Sequence, residues 1–295
     1  MVQWISAERW EKPSMNRKKQ TVLYDKNLHI ETYDFKGLVQ PFPNHFHEYY
    51  VIGLMENGQR RLSCKNRNYT ISKGDIVLFN PGDNHSCIRV SDSPLDYRGF
   101  HISRETMSPL YQEITGRPGL PVFSHSVTRN EKAAGCLRLL HDLITGNASA
   151  LEKEETLLFL LTLLISHREP ISDRDLPAYS PEIEKACDFI QTHYRERLCL
   201  EQICHCAGLS KSTLLRAFTA CKGITPYCYL ENVRIGKAKK LLAQGMAPVD
   251  AALLTGFSDQ SHFSNCFRRF LGVSPGIYRD IFTHKHHSGG KSHGI

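Results

Sequence analysis

Between residues 200 and 282 the chain comes close to writing one pattern twice, and this near-repeat restricts its fold more than any other feature. Cys204 and Gly208 correspond to Ala252 and Gly256 at a separation of 48 residues, while Leu214, Phe218, Gly223 and Pro226 correspond to Phe263, Phe267, Gly272 and Pro275 at 49. One residue inserted in the second turn reconciles the two spacings. Each copy reads as a short helix, a turn opening on Gly, a second helix, Gly, then Ser/Thr-Pro opening another helix. That is the helix-turn-helix pattern. The spacing predicts helices over 181–194, 200–207, 211–221, 226–243, 248–255, 259–270 and 275–282, with the long fourth helix joining the two copies.

Helical geometry separates the faces of the second helix in each copy. Phe263, Phe267 and Phe270 recur at i, i+4 and i+7 as one inward stripe, with Ser258 expected as the N-cap. At 100° per residue, Ser261, Ser264, Asn265 and Arg268 point away from that stripe, and Gln260 flanks it in the first turn. In the first copy Leu214, Phe218 and Cys221 face inward, leaving Ser212, Leu215, Arg216 and Thr219 outside. Ser, Asn, Gln and Arg are side chains that meet base edges in the major groove of double-stranded DNA. The charge distribution agrees. Residues 178–295 carry 15 Lys and Arg against 9 Asp and Glu, whereas residues 1–177 carry 22 against 21, so the basic excess sits on the repeat.

The stretches LEQICHCAGLSKSTLLRAFTACKGITPYCYLENVRIGKAKKLL and GFSDQSHFSNCFRRFLGVSPGIYR make residues 181–281 similar to the DNA-binding domain of the AraC/XylS family of bacterial transcription regulators. The resemblance implies two helix-turn-helix units held by a central helix over about 226–243, with two recognition helices entering adjacent major grooves. Such a helix is about 27 Å long at 1.5 Å per residue, compatible with grooves about 34 Å apart. Carried over by position, the residues implied to face bases are Ser212, Leu215, Arg216, Gln260, Ser261 and Asn265, with Arg268 beside them. Pro248 and Ala251 depart from the larger aliphatic residues usual in the family.

Residues 28–102 differ in texture. LHIETYDF, HEYYVIGLM, QRRLSC, YTISKGDIVLF, HSCIRV and LDYRGFHI are short strand-like stretches separated by turn signals such as Asn57-Gly58, Lys73-Gly74 and Pro81-Gly82. They predict a small β-barrel or sandwich. The segments HFHEYYVIGLMENGQ and GDIVLFNPGDNH resemble the cupin-like sensor half found in many members of the same family, which implies a small-molecule effector. His47, His85, Arg61 and Tyr97 are the candidate effector-binding residues, with Arg98 a further pocket candidate. His45, His47, Glu48 and His85 form a weaker set for a divalent metal. Glu48 directly follows His47 and would project from the opposite face of a strand, so no metal or other cofactor is expected. Cys204-His205-Cys206 lacks a second Cys/His pair to complete a zinc set.

Two helical stretches follow, 130–145 and 151–167. The second, LEKEETLLFLLTLLISH, is apolar nearly all round and must be covered on several sides; the resemblance adds the expectation that it pairs with its copy in a homodimer. The whole is expected to be an α+β chain in two parts: an arm over 1–25, a cupin-like β-barrel domain with two helices over 26–168, a proline-marked linker over 169–180, an all-α domain over 181–283 opening with Ser180 as cap and Pro181 at the first helical position, and a His-rich, disordered tail over 284–295. No apolar run approaches the roughly 20 residues of a membrane span, the start has no apolar leader, and ten scattered cysteines fit reduced thiols, so a cytoplasmic protein is expected. The expected function is sequence-specific regulation of transcription, without enzymatic activity, with double-stranded DNA and an effector as partners and RNA polymerase as a further one for an activator. The alternatives are a metal-dependent cupin enzyme carrying a DNA-binding tail and a constitutive DNA-binding protein with a structural barrel.

Overall fold

Apolar residues at both odd and even positions of Tyr50–Asn57 call for a strand covered on two faces, and the architecture supplies both covers. A computed structural model describes residues 19–65, 67–90, 93–146, 148–165 and 181–283. The expected linker, the Ser180 cap and the His-rich tail lie outside the described residues, as do 1–18 of the arm. The strands are β1 (Lys19–Asp25), β2 (Ile30–Leu38), β3 (Phe42–His45), β4 (Tyr50–Asn57), β5 (Gln59–Cys64), β6 (Arg67–Ser72), β7 (Ile76–Phe79), β8 (His85–Arg89), β9 (Leu95–Ile102) and β10 (Val127–Thr128). They form a six-stranded sheet in the order β1-β2-β9-β4-β7-β10 and a four-stranded sheet in the order β3-β8-β5-β6. The cupin-like domain is thus realised as two sheets rather than a closed barrel. Lys19–Asp25, the end of the stretch read as an arm, pairs along its whole length with β2.

One face of the larger sheet, with Val22, Tyr33, Val51 and Met55, shares a core with Leu62 and Ile71 of the smaller sheet. Its other face, with Ile30, Tyr50, Ile52, Leu54 and Phe100, is covered by helices. These are α1 (Arg104–Thr115), α2 (Glu131–Thr145) and α3 (Ala150–Leu164). The sequence reading expected two helices here and missed α1, which carries Pro109 inside it and is closed at its start by Ser103 accepting from the Thr106 N–H at 3.1 Å. Leu157, Leu160, Leu161 and Leu164 of α3 are core residues. Its buried Lys153 reaches Asp25 at 2.7 Å, tying α3 to the end of β1.

The helical half contains α4 (Pro181–His193), α5 (Leu200–Ala207), α6 (Lys211–Lys222), α7 (Pro226–Ala243), α8 (Pro248–Leu254), α9 (Gln260–Leu271) and α10 (Pro275–Thr283). Helix α9 starts one residue later than expected. Asp259, not Ser258, is its N-cap: its backbone is extended, with φ −154° and ψ 158°, and its carboxylate accepts from the His262 N–H at 2.7 Å. Gly256 has φ +84°, and a Cβ there would stand 2.7 Å from the Arg195 carbonyl oxygen, so the turn before α9 admits only Gly.

The two helix-turn-helix units are packed differently. The first has a core of its own, with Ile190, Ile203, Leu214, Phe218 and Val233. The second, with Phe263, Phe267, Phe270 and Tyr278, is continuous with the core between the two sheets.

Candidate functional site

His45 closes β3, His47 lies two residues beyond, and His85 opens β8 directly opposite His45 in the sheet register. Antiparallel pairing therefore brings together three histidines that are 40 residues apart in sequence at the extremes. Ring centroids are 4.7 Å apart for His45 and His47, 4.3 Å for His45 and His85, and 5.1 Å for His47 and His85. They line a cavity of about 90 Å³ between the sheets, together with Tyr97 and His101 and with Phe270 and Leu271 of α9. Space for the Tyr97 ring comes from a paired absence: Gly53 and Gly99 face each other across β4 and β9, and a Cβ on either would lie 2.1 or 2.5 Å from the Tyr97 hydroxyl.

The cavity is neutral. Burial, reinforced by the neighbouring imidazoles, holds His45 and His47 well below the ordinary histidine range, and burial pushes His85 and His101 down to about 4. Burial also raises the Tyr97 phenol. The wall is otherwise aliphatic and aromatic, so the site offers hydrogen bonds and imidazole nitrogen lone pairs to an uncharged or metal-bound guest.

Of the residues singled out from sequence, His45, His47, His85 and Tyr97 meet at this cavity. Arg61 does not. It is exposed on β5, and its neighbour Arg60 is the buried guanidinium, donating to the carbonyls of Leu38 and Ser93 at 2.8 and 3.1 Å. Strand alternation sends successive side chains to opposite faces, and the sequence assigned the wrong member of the pair to the interior. Glu48 is exposed and pairs with Lys240 at 3.1 Å, away from the three imidazoles. Arg98 serves Asp142 at 3.4 Å instead of the cavity.

Sequence reasoning missed the junction between the halves. Glu31 of β2 accepts from the hydroxyls of Tyr278 at 2.6 Å and Tyr33 at 2.8 Å, and pairs with Lys239 of α7 at 2.9 Å. Burial alone would raise its pKa, but Lys239, His101 and the Tyr278 hydroxyl outweigh that and hold the carboxyl well below its ordinary range. The Lys239 ammonium also lies 3.6 Å from the Tyr49 ring centroid. The residues around β3 touch both helix-turn-helix units. Asn44 donates to the carbonyl of Gly223 at the end of α6 at 2.6 Å, the Phe46 N–H donates to Asn232 of α7 at 3.1 Å, and Gln40 donates to the Arg268 carbonyl of α9 at 3.2 Å. No single-residue pattern announces such contacts, because each joins segments more than 170 residues apart.

The outward faces of α6 and α9 are open. Leu215 and Arg216 are exposed on α6, and the side chain of Ser212 is not described. Gln260, Ser261, Asn265 and Arg268 are exposed on α9. Arg269, beside them, is committed inward to the buried Glu231 of α7 at 2.8 Å and so fixes α9 on the central helix. A single helix, α9, thus carries cavity wall on one side and exposed polar side chains on the other.

Comparison with known proteins matches residues 27–161 to the AraC-like ligand binding domain and 203–281 to a helix-turn-helix domain. An HTH-type transcriptional regulator of Bacillus subtilis (strain 168), YbfI, is 47% identical over 84% of this chain and 90% of its own length. The HTH-type transcriptional activator RhaS of Escherichia coli O139:H28 (strain E24377A / ETEC) is 27% identical over 81% of this chain and 87% of its own. Among solved structures, apo ToxT from Vibrio cholerae strain SCE256 aligns with a TM-score of 0.52 and 17% identity, covering 88% of this chain and all of that one. Unsaturated fatty acid bound ToxT from the same strain aligns at 0.51 and 17%, covering 91% of this chain and 98% of that one. At such identity the likeness concerns the fold.

Proposed function

Since the chain belongs to the AraC family of transcriptional regulators, with a ligand-binding domain followed by a helix-turn-helix DNA-binding domain, we propose that occupation of the cavity between its sheets controls how α9 is presented to DNA. The observation that carries this reading is the double role of α9: Phe270 and Leu271 complete the cavity wall, and Gln260, Ser261, Asn265 and Arg268 lie on the exposed side. A guest that needs more room moves Phe270 and Leu271, and a rigid helix transmits the displacement to its other face. A ligand shifts such an equilibrium only by its difference in affinity for the two arrangements.

At about 90 Å³ the cavity is smaller than the roughly 150 Å³ space that holds benzene in an engineered core. The effector is therefore a small, largely apolar molecule with one or two hydrogen-bonding groups. His47, His85 and Tyr97 are its polar contacts, and a longer guest, such as the fatty acid named in the ToxT structure, enters only with displacement of α9. On the DNA side, Ser212, Leu215, Arg216, Gln260, Ser261 and Asn265 read bases, and Arg268 on the same outward face contacts DNA with them. The protein works in the cytoplasm as a homodimer and meets RNA polymerase when it activates. Leu160 and Leu164 are committed to the core, so pairing uses the outer sides of α2 and α3, where Leu139, Leu151 and Phe159 are exposed.

The test is operator binding by the full chain, on sites selected from random DNA, with and without a cavity ligand identified by its effect on melting. A coupling of about 1–3 kcal/mol, or roughly 5- to 150-fold in affinity, is expected. Leu271→Ala, which removes part of the wall shared by cavity and α9, is expected to reduce it, with DNA affinity in the absence of ligand measured alongside as the reference. Equal DNA affinity with and without bound ligand would remove the cavity from regulation.

A further inference from the structure

Among the described residues, one group of metal-ligating side chains stands inside the fold: His45, His47 and His85 each offer one ligand atom, and these atoms lie within 4.8 Å of one another. Two of the three rings are already oriented as metal-bound imidazoles are. His45 Nδ1 is 2.6 Å from the Pro43 carbonyl oxygen and His85 Nδ1 is 2.9 Å from that of Asp83. A carbonyl only accepts, so each Nδ1 carries the proton and each Nε2 keeps its lone pair free. A backbone carbonyl on the second nitrogen is the outer-shell arrangement that fixes the tautomer and raises the basicity of a ligating histidine. Each carbonyl partner stands two residues before its ring, Pro43 within β3 and Asp83 just ahead of β8, so the orientation is built into the local backbone.

We propose that His45, His47 and His85 bind one first-row transition-metal ion of the zinc or cobalt type, leaving a fourth position open to the cavity. Three imidazoles suit Zn²⁺, Co²⁺ or Ni²⁺ and do not suit Mg²⁺ or Ca²⁺, which take oxygen ligands. Tetrahedral coordination at about 2.0–2.1 Å places ligand nitrogens roughly 3.4 Å apart, so the rings close inward by about 1 Å or less from their present spacing. Glu48 takes no part, being exposed on Lys240, and the fourth ligand is water or a donor atom of the guest, which in the metal-loaded protein meets the ion in place of the His47 and His85 nitrogens. His45 packs against Phe270 with ring centroids 5.5 Å apart, so the inward rotation reaches α9. That last consequence rests on the regulatory reading given above; metal binding does not.

The experiment uses the metal-stripped full chain in which the tail residues His284, His286, His287 and His293 are replaced by Ser, removing the other histidine-rich segment. Titration with Co²⁺, followed optically, with Zn²⁺ in competition, is expected to show one equivalent bound with a tetrahedral spectrum. His47→Gln and His85→Gln are each expected to weaken binding by more than the roughly 10- to 100-fold that loss of an outer-shell partner costs. His141→Gln, a buried histidine outside the group, is expected to leave it unchanged. Absence of stoichiometric binding, or binding insensitive to both cavity substitutions, overturns the proposal. If a variant fails to fold by circular dichroism, X-ray absorption of the bound parent chain decides, with three imidazoles in support and fewer against. Operator affinity of the metal-loaded and stripped forms is measured separately. Metal bound through these histidines without effect on DNA binding upholds the site and removes its link to α9.

Discussion

The ring of His45 lies 5.5 Å from the ring of Phe270, and the two belong to different halves of the chain. One closes a sheet strand and faces the cavity, while the other is anchored in the helix whose far side is exposed. Replacing Phe270 with Ala removes both a cavity wall and a junction contact. A loss of about 3–5 kcal/mol is expected from the size of the deletion, read as a lower urea midpoint, together with a cavity that admits larger ligands.

Arg216→Ala and Asn265→Ala are expected to weaken binding to the selected operator by about 1–3 kcal/mol each, and binding to unrelated DNA far less. Equal losses on both kinds of DNA, in a binding isotherm at fixed salt, would reassign these residues to phosphate contact.

Glu31→Gln leaves Lys239 as a buried charge without its carboxylate, and breaking one partner of such a pair costs about 3–5 kcal/mol. Because the pair joins the halves, the variant is expected to be cut faster in limited proteolysis. The combined change Glu31→Gln with Lys239→Met is expected to recover stability in thermal melts, since the uncompensated charge is gone.

Stability is expected to fall on mild acidification. His85 and His101 have folded pKa values pushed down to about 4, against about 6.5 for an unfolded histidine. The unfolded chain therefore binds more protons between these values, so the stabilisation is complete above about pH 6.5 and is lost progressively toward pH 4. Urea midpoints across that range, in the presence of a chelator, measure the slope. A flat profile would mean these rings are hydrated.

Phe159, 54% exposed on α3 among buried leucines, is the position where introducing a charge should disrupt a dimer without reaching the core. Phe159→Asp is expected to sediment as a folded monomer, whereas Leu160→Asp is expected to unfold the domain.

Much of the helical half was legible because its signals are local: a cap, a stripe at i, i+4 and i+7, and a glycine in each turn mark their own positions. The strands QRRLSC and LDYRGFHI were likewise bounded by their turns. Alternation without a reference face, however, cannot tell which of Arg60 and Arg61 points inward, since that depends on which side the second sheet occupies. Helix α1 was obscured by Pro109, and Ser258 was preferred to Asp259 because adjacent capping residues differ only in backbone angles. The histidine group was visible as residues but not as a wall shared with Phe270 and Leu271, for that sharing is a property of docking.

The unequal packing of the two helix-turn-helix units limits how such a regulator can be recombined. The first unit owns its core and meets the sheet half largely through Asn44, Phe46 and their partners. The second merges its core with the sheets through Phe270 and Leu271. A chimaera made by exchanging whole sensor halves at the linker therefore joins surfaces that were never fitted to each other: the first unit loses an edge contact at Phe46, and the second loses part of its core. A transplant that keeps its response has to move the sheet half together with the inward face of α9, leaving the outward face to carry the operator preference of the recipient.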